Sequence, residues 1–337
     1  MTRIWFNHWF SAVYHIIGLI REGDPGRFFV IGSGTNPAAV YRAVCDAWFD
    51  EPAEIGAATY VDDCLTFCRE QGVELFAPRR HLTAIAENAA RFEAIGVLLL
   101  ADPNAALHRM LDDKAATYAF FAQTAPEWVP DYRVAHSEAE FSSACEALGE
   151  KHARLCYKLV TDEGARSFRV IDARIETAQA LLEKPGAKIT LAAARKVLSG
   201  YDFAVPVLVM PYLAGPEISA DCLATPRGNL VIPRYKSGKR YSEVILTPEV
   251  QDACDRIIAL LGLTMPLNIQ FRVDGGRLYL LEINPRMSGG LQLSCKATGI
   301  NLPDIAVQQL LGVERPWAWP ALAARKVAHI ETPICLP

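Results

Sequence analysis

Residues 268–290 hold the side chains best suited to chemistry. Asn268, Gln270 and Arg272 alternate with Ile269, Phe271 and Val273, and Glu282, Asn284 and Arg286 alternate with Leu281, Ile283 and Pro285. Alternation at period two puts each polar set on one face of a β-strand. Hard oxygen donors beside a guanidinium describe a site for a divalent cation and phosphate oxygens. Asp274-Gly275-Gly276 marks the turn between the two strands. If both polar sets share one face, opposed residue numbers have an even sum. That requires an odd-length loop or a bulge, because a one-residue slip carries every side chain to the other face.

The elements that must position this hairpin follow an α/β rhythm. Strands are expected at 3–9, 27–31, 74–77 and 97–101, and helices at 11–21, 37–49, 60–71 and 82–94. Gly32-Ser33-Gly34-Thr35 is expected as a tight turn after the second strand, since a dinucleotide fingerprint belongs after the first. Further helices are expected at 107–111, 115–123, 138–149, 173–182, 190–198 and 302–311. Strands are expected at 154–159, 204–210 and 230–232. Between them, Val160–Arg169 is charged, poor in apolar residues and expected as an exposed loop.

Bulk properties narrow the classes. The chain has 337 residues, 51% hydrophobic and 21% charged, which is ordinary for a globular protein of two or three domains. A net charge of −4 argues against nucleic-acid binding through bulk positive charge. No apolar run approaches the roughly 20 residues of a membrane helix, and the N-terminus lacks a signal-peptide layout, so a cytoplasmic location is expected. The nine cysteines are scattered and are expected as buried thiols. Cys64 and Cys68 lie one helical turn apart without a second pair to complete a zinc site.

Several segments, in order, resemble the ATP-grasp superfamily, in particular grasp domains of the carbamoyl-phosphate-synthase and pyrrolysine-ligase type. They are Leu111-Asp112-Asp113-Lys114, Cys156-Tyr157-Lys158, the stretch Val209–Asp221, and Gln270 through Gly290. The resemblance implies an open parallel α/β pre-ATP-grasp domain at 1–104. A two-lobed grasp domain with antiparallel sheets would follow: a small lobe at 105–212 with a phosphate lid at 160–169, and a large lobe at 213–337. Lys114 and Lys158 resemble the lysines that contact the nucleotide. Met210, Pro211, Tyr212 and Leu213 resemble the hinge that recognises adenine, and Glu217 the glutamate that binds the ribose. Two departures stand out: Pro211 removes a backbone donor from the hinge, and Gly164 is the one glycine in a lid that relatives make glycine-rich.

By the same resemblance, Gln270, Glu282 and Asn284 match metal ligands for Mg²⁺ or Mn²⁺, and Arg286, with Asn284, serves the transferred phosphoryl group. Arg234, Lys236 and Arg240, with Ser288, Gly289 and Gly290, fall where relatives hold the second substrate. The implied activity is an ADP-forming ligase that activates a carboxylate as an acyl phosphate for attack by an amine. Carbamoyl-phosphate-like or carboxylase chemistry on bicarbonate is an alternative, as is an ATP-binding regulatory protein with little turnover. Small-molecule acids and amines are the implied partners, with no nucleic acid or membrane, and a homodimer is compatible.

Overall fold

The computed structural model describes residues 1–176, 186–236, 241–320, 324–330 and 332–336. In chain order the first segment holds β1 (Thr2–Asn7), α1 (Val13–Gly23), β2 (Phe28–Gly34), β3 (Ala47–Asp50), α2 (Ala57–Gln71) and β4 (Leu75–Ala77). Then come α3 (Leu82–Glu87), α4 (Ala89–Glu93), β5 (Leu98–Leu99) and α5 (Ala105–Asp112). The middle segment holds α6 (Lys114–Thr124), β6 (Arg133–Ala135), α7 (Glu138–Gly149), β7 (Leu155–Leu159) and β8 (Arg169–Ile171). It ends with β9 (Lys188–Ile189), α8 (Leu191–Leu198) and β10 (Val207–Pro211). The last holds β11 (Glu217–Leu223), β12 (Leu230–Lys236), β13 (Tyr241–Val244), α9 (Pro248–Leu261), β14 (Leu267–Asp274) and β15 (Arg277–Asn284). It closes with α10 (Leu291–Thr298), α11 (Leu302–Leu310) and β16 (Arg325–Ala328).

Two compact units emerge. The first comprises Met1–Arg109, Glu217–Gln270 and Ile283–Pro337; the second comprises Met110–Pro216 and Phe271–Glu282. In the first unit, β3-β2-β1-β4-β5 form a parallel sheet. Ile4 and Phe6 face α1, whose Val13, Ile16, Ile17 and Ile20 lie at helical spacing on one buried stripe. Trp5 and Phe76 face the other way, against α2 and its Val61, Cys64 and Leu65. The first core continues through Leu223, Ile232, Met287, Ile305 and Val307, so residues 1–104 and much of the C-terminal third share apolar interior. Each fully buried aliphatic side chain of this kind contributes about 2 kcal/mol.

The second unit is built on the sheet β6-β10-β7-β8-β9. α7 covers one face through Phe141, Ala144 and Leu148; Tyr118 of α6 packs on the other with Cys156, Leu208 and Met210. Asp113 starts α6 by accepting from the backbone N–H groups of Ala115 and Ala116. A six-stranded sheet, β15-β14-β11-β12-β13-β16, carries the hairpin of interest at its edge.

The structure corrects several expectations. Residues 37–49 are not a helix but a single 3₁₀ turn, Val40–Val44, followed by β3. Asp46 draws this segment to the sheet by accepting from Val30 N–H at 2.7 Å. Gly32 and Gly34 are strand residues rather than a turn, and a Cβ on Gly32 would lie 2.6 Å from Cys45 Sγ. The helix expected at 82–94 breaks at Asn88 into α3 and α4. The helix expected at 173–182 begins as a 3₁₀ turn, Ala173–Glu176, and its remainder lies outside the described residues. Eight of the nine cysteines are buried or half-buried thiols; Cys335 is exposed. Among the described residues, no helix is long and apolar enough to cross a membrane.

Candidate nucleotide and metal site

β14 and β15 are joined by Gly275-Gly276 alone, with φ of 55° and 77°. Two left-handed glycines make a tight two-residue turn. The odd-length loop is thus absent, and such a turn by itself would send Gln270 and Glu282 to opposite faces. Along β15, however, the alternation changes phase. Leu278 and Leu280 are buried and Tyr279 is not, but Leu281 and Glu282 are both half-buried before Ile283 is buried again. Gln270, Glu282 and Asn284 all occupy half-buried positions flanked by the buried Ile269, Phe271 and Ile283.

Within the second unit, Lys114 is close enough to Lys158 that its ammonium opposes the charge on Lys158. Lys158 stands on β7 opposite Leu208 of β10. Lys114 opens α6, is 7% exposed, and donates from Nζ to the Asp162 carbonyl at 3.0 Å. Burial pushes the Lys158 ammonium down to about 8; Lys114 pushes the same way, while Glu282 of β15 opposes the shift. Tyr118, fully buried, has its phenol pushed far up by burial and donates to the Leu281 carbonyl at 3.3 Å.

The lowered Lys158 pKa has a stability consequence. Between about 8 and the ordinary lysine value of 10.5 the unfolded chain holds this proton and the folded chain releases it, so stability rises with pH through that window. The slope from this group is at most about 1.4 kcal/mol per pH unit. Below pH 8 the cost of burying the charge is fully present. Urea unfolding at pH 7 and 9.5 should therefore show a smaller pH difference in Lys158→Met than in the parent chain; equal differences would remove Lys158 as the source.

The hinge residues end β10. Met210 pairs with Cys156 and Pro211 with Leu155; Tyr212 N–H donates to the Arg154 carbonyl at 2.9 Å. The Arg154 guanidinium lies 4.3 Å from the Tyr212 ring centroid, and Arg272 donates to the Leu213 carbonyl at 3.3 Å. The loop at 160–169 is folded on itself. Asp162 accepts from both the N–H and the hydroxyl of Ser167, whose oxygen also receives Leu159 N–H at 2.9 Å. Ser167 thus shapes the loop from within.

In the first unit, Glu217 pairs with Lys236 directly across β11 and β12. Arg234 is 5% exposed; its guanidinium contacts Ser219 Oγ at 3.3 Å and Asp221 at 3.8 Å. It also abuts Gly290, where a Cβ would lie 2.3 Å from Nη2, so this chain brings two of the expected substrate residues together. Gly290 N–H donates to Ser288 Oγ at 3.2 Å. Arg286 donates to Asn284 Oδ1 at 3.3 Å and stands 5.3 Å from the Phe10 ring, which is also 3.6 Å from the Cβ position of Gly289. Arg240 lies outside the described residues.

One carboxylate and two amide oxygens are hard donors of the kind Mg²⁺ accepts. Among the described residues no cluster of three His, Cys, Asp or Glu side chains offers a different metal centre. The Gln270 amide is oriented: Nε2 donates to Asn268 Oδ1 at 3.1 Å, which turns Oε1, a donor of the kind Mg²⁺ accepts, to the opposite end. Asn268 entered the sequence reading only as one of the alternating polar residues, and Ser219 and Asp221 were given no role there. Asp221, charged within the apolar strand Glu217–Leu223, was the available signal.

Comparisons with known proteins bear on the same segments. Residues 203–333 match a family model described as ATP-grasp in the biosynthetic pathway with Ter operon. The chain is 31% identical over 125 residues to the carbamoyl phosphate synthase large chain of Clostridium botulinum (strain Alaska E43 / Type E3). It is 34% identical over 123 residues to the arginine-specific large chain of Geobacillus stearothermophilus. Each match covers 32% of this chain and only 12% of the relative.

Among solved structures it resembles the biotin carboxylase domain of Hydrogenobacter thermophilus 2-oxoglutarate carboxylase, with a TM-score of 0.65 and 16% identity over 94% of this chain and 71% of that one. N5-carboxyaminoimidazole synthetase from Staphylococcus aureus gives 0.65 and 13% over 94% and 78%. The L-amino acid ligase of Bacillus licheniformis gives 0.62 and 15% over 92% and 74%. Residues 203–333 thus match an ATP-grasp family model, and the chain shares its fold with these structures over more than nine-tenths of its length.

Proposed function

We propose that this chain is an ADP-forming ligase that uses ATP and Mg²⁺ to join a carboxylate to an amine. The observation that carries the reading is the desolvated Lys158 ammonium, set beside Lys114 and the Glu282 carboxylate in one unit. A partly desolvated cation is suited to an anion, and phosphates next to it would raise its pKa again. Lys114 and Lys158 would bind nucleotide phosphates, Met210–Leu213 the adenine, and Glu217 the ribose once released from Lys236.

Gln270, Glu282 and Asn284 would hold Mg²⁺ (or Mn²⁺), which supplies charge neutralisation for the β- and γ-phosphates. Arg286 would stabilise the phosphoryl group in flight, its planar fork matching phosphate oxygens. A carboxylate oxygen attacks the γ-phosphorus and the bond to the β-phosphate oxygen breaks, giving acyl phosphate and ADP. The amine nitrogen then attacks the acyl carbon, the carbon–oxygen bond to phosphate breaks, and the amine gives up a proton. Arg234, Lys236, Arg240 and the Ser288–Gly290 loop would receive the acid. Use of ATP makes the cytoplasm the expected compartment, and a homodimer is expected on sedimentation.

Incubation with ATP, Mg²⁺ and paired libraries of carboxylic acids and amines tests the reading. ADP and phosphate released only when both partners are present support it. A panel with neither substrate-dependent ADP nor nucleotide binding would overturn it. Carboxylase chemistry on bicarbonate is the second reading, favoured by the neighbours named as a carboxylase domain in complex with bicarbonate and as a carboxyaminoimidazole synthetase. ADP release driven by bicarbonate without an organic acid would select it.

A further inference from the structure

We propose that Asn268 is a positioning residue that decides which end of the Gln270 amide faces a bound divalent cation. The inference rests on the metal role given to Gln270 above. An amide differs from a carboxylate as a ligand: one end is an oxygen donor, and the other is an NH₂ group that a cation repels. Something in the protein must choose the end.

Asn268 is fully buried, and its Nδ2 lies 3.0 Å from Ser219 Oγ, 3.1 Å from the Ala220 carbonyl and 2.9 Å from Asp221 Oδ1. The Ala220 carbonyl can only accept, so this end of Asn268 is its nitrogen and the other end its oxygen. That oxygen meets Gln270 at 3.1 Å, so Gln270 must offer its own nitrogen there. Its Oε1 is then at the far end, ready for a cation.

The choice is reinforced from behind. Asp221 Oδ2 accepts from Ser294 Oγ at 2.6 Å, and Arg234 contacts both Ser219 and Asp221. Asp221 and Arg234 are 1% and 5% exposed. Turning Asn268 over would set its oxygen against a buried carboxylate and a carbonyl, leaving acceptors facing acceptors in a dry interior. Outer groups that orient metal ligands in this way change metal affinity about 10- to 100-fold when removed.

The test measures Mn²⁺ affinity by electron paramagnetic resonance in the presence of ADP, with circular dichroism melts as a check on folding. Asn268→Ala should weaken Mn²⁺ binding about tenfold or more. The same substitution in a Gln270→Glu background should cost less than about twofold, because both ends of a carboxylate are oxygens and none needs choosing. Equal losses in the two backgrounds, or no loss in the parent, would overturn the proposal. If Asn268→Ala does not fold, Asn268→Ser, too short to reach Gln270, carries the same comparison. A parent protein that binds no Mn²⁺ with ADP would instead sink the metal reading itself.

Discussion

Glu282→Gln is expected to lower substrate-dependent ADP release by about 10²- to 10³-fold, the loss typical when one preorganised charge-stabilising group is removed. The substitution keeps the shape of the side chain and removes its negative charge. Two consequences are separable. On the proposed metal role, the one charged oxygen ligand would become neutral and metal affinity would fall, so activity should recover partly at high Mg²⁺. Lys158 also loses the neighbour that opposes the lowering of its pKa, so its ammonium should titrate below the present value of about 8. Steady-state rates against Mg²⁺ concentration read the first. Reaction of the neutral amine with a lysine-selective reagent as pH is raised, followed at the Lys158 peptide by mass spectrometry, reads the second. Unchanged turnover would remove Glu282 from the chemistry and favour an ATP-binding protein whose output does not require catalysis.

Gly215→Ala carries the largest expected stability effect. A Cβ at this position would lie 1.7 Å from the Val273 carbonyl oxygen and 2.8 Å from its carbon. Neither is the end of a flexible side chain, and Val273 N–H is bonded to the Pro216 carbonyl at 3.0 Å, so the strand cannot simply step back. Asp274 and Arg272 fasten the same segment through Ala214 N–H and the Leu213 carbonyl. Overpacking against backbone costs about 3 kcal/mol or more. Urea unfolding should show a lower midpoint for Gly215→Ala. An equal substitution at Gly228, where a Cβ meets nothing within 4 Å but φ is 104°, provides a control for backbone strain alone. A midpoint for Gly215→Ala at or above that of the control would show that close approach is not what requires glycine here.

Much of the architecture could be read from residue order. The apolar runs of β1, β10 and β15, the isoleucine stripe of α1 and the span of α7 announce themselves, because local periodicity reports which face is buried. The chain at 37–49 misled because its apolar residues suit a helix. Its actual course follows Asp46 and Trp48, whose partners lie in β2, and such pairing leaves no local trace. The same limit hid the turn. Gly275-Gly276 was visible, but the phase change at Leu281–Glu282 is written in burial rather than in residue type.

The candidate site divides in the same way. Gln270, Glu282, Asn284 and Arg286 became candidates from their types and alternation, and Lys114 and Lys158 from the resemblance to grasp domains. The segments holding these residues, taken in order, resemble the ATP-grasp superfamily, whose fold the comparisons bear out. What only the tertiary structure decided is which of these groups already have partners and how they are turned. It sets Lys158 beside Lys114, pairs Glu217 with Lys236, lodges Arg234 against Asp221 and Gly290, and points the Gln270 amide through Asn268. Orientation and protonation depend on the fields and contacts of residues tens to hundreds of positions away, and those exist only once the chain has closed on itself.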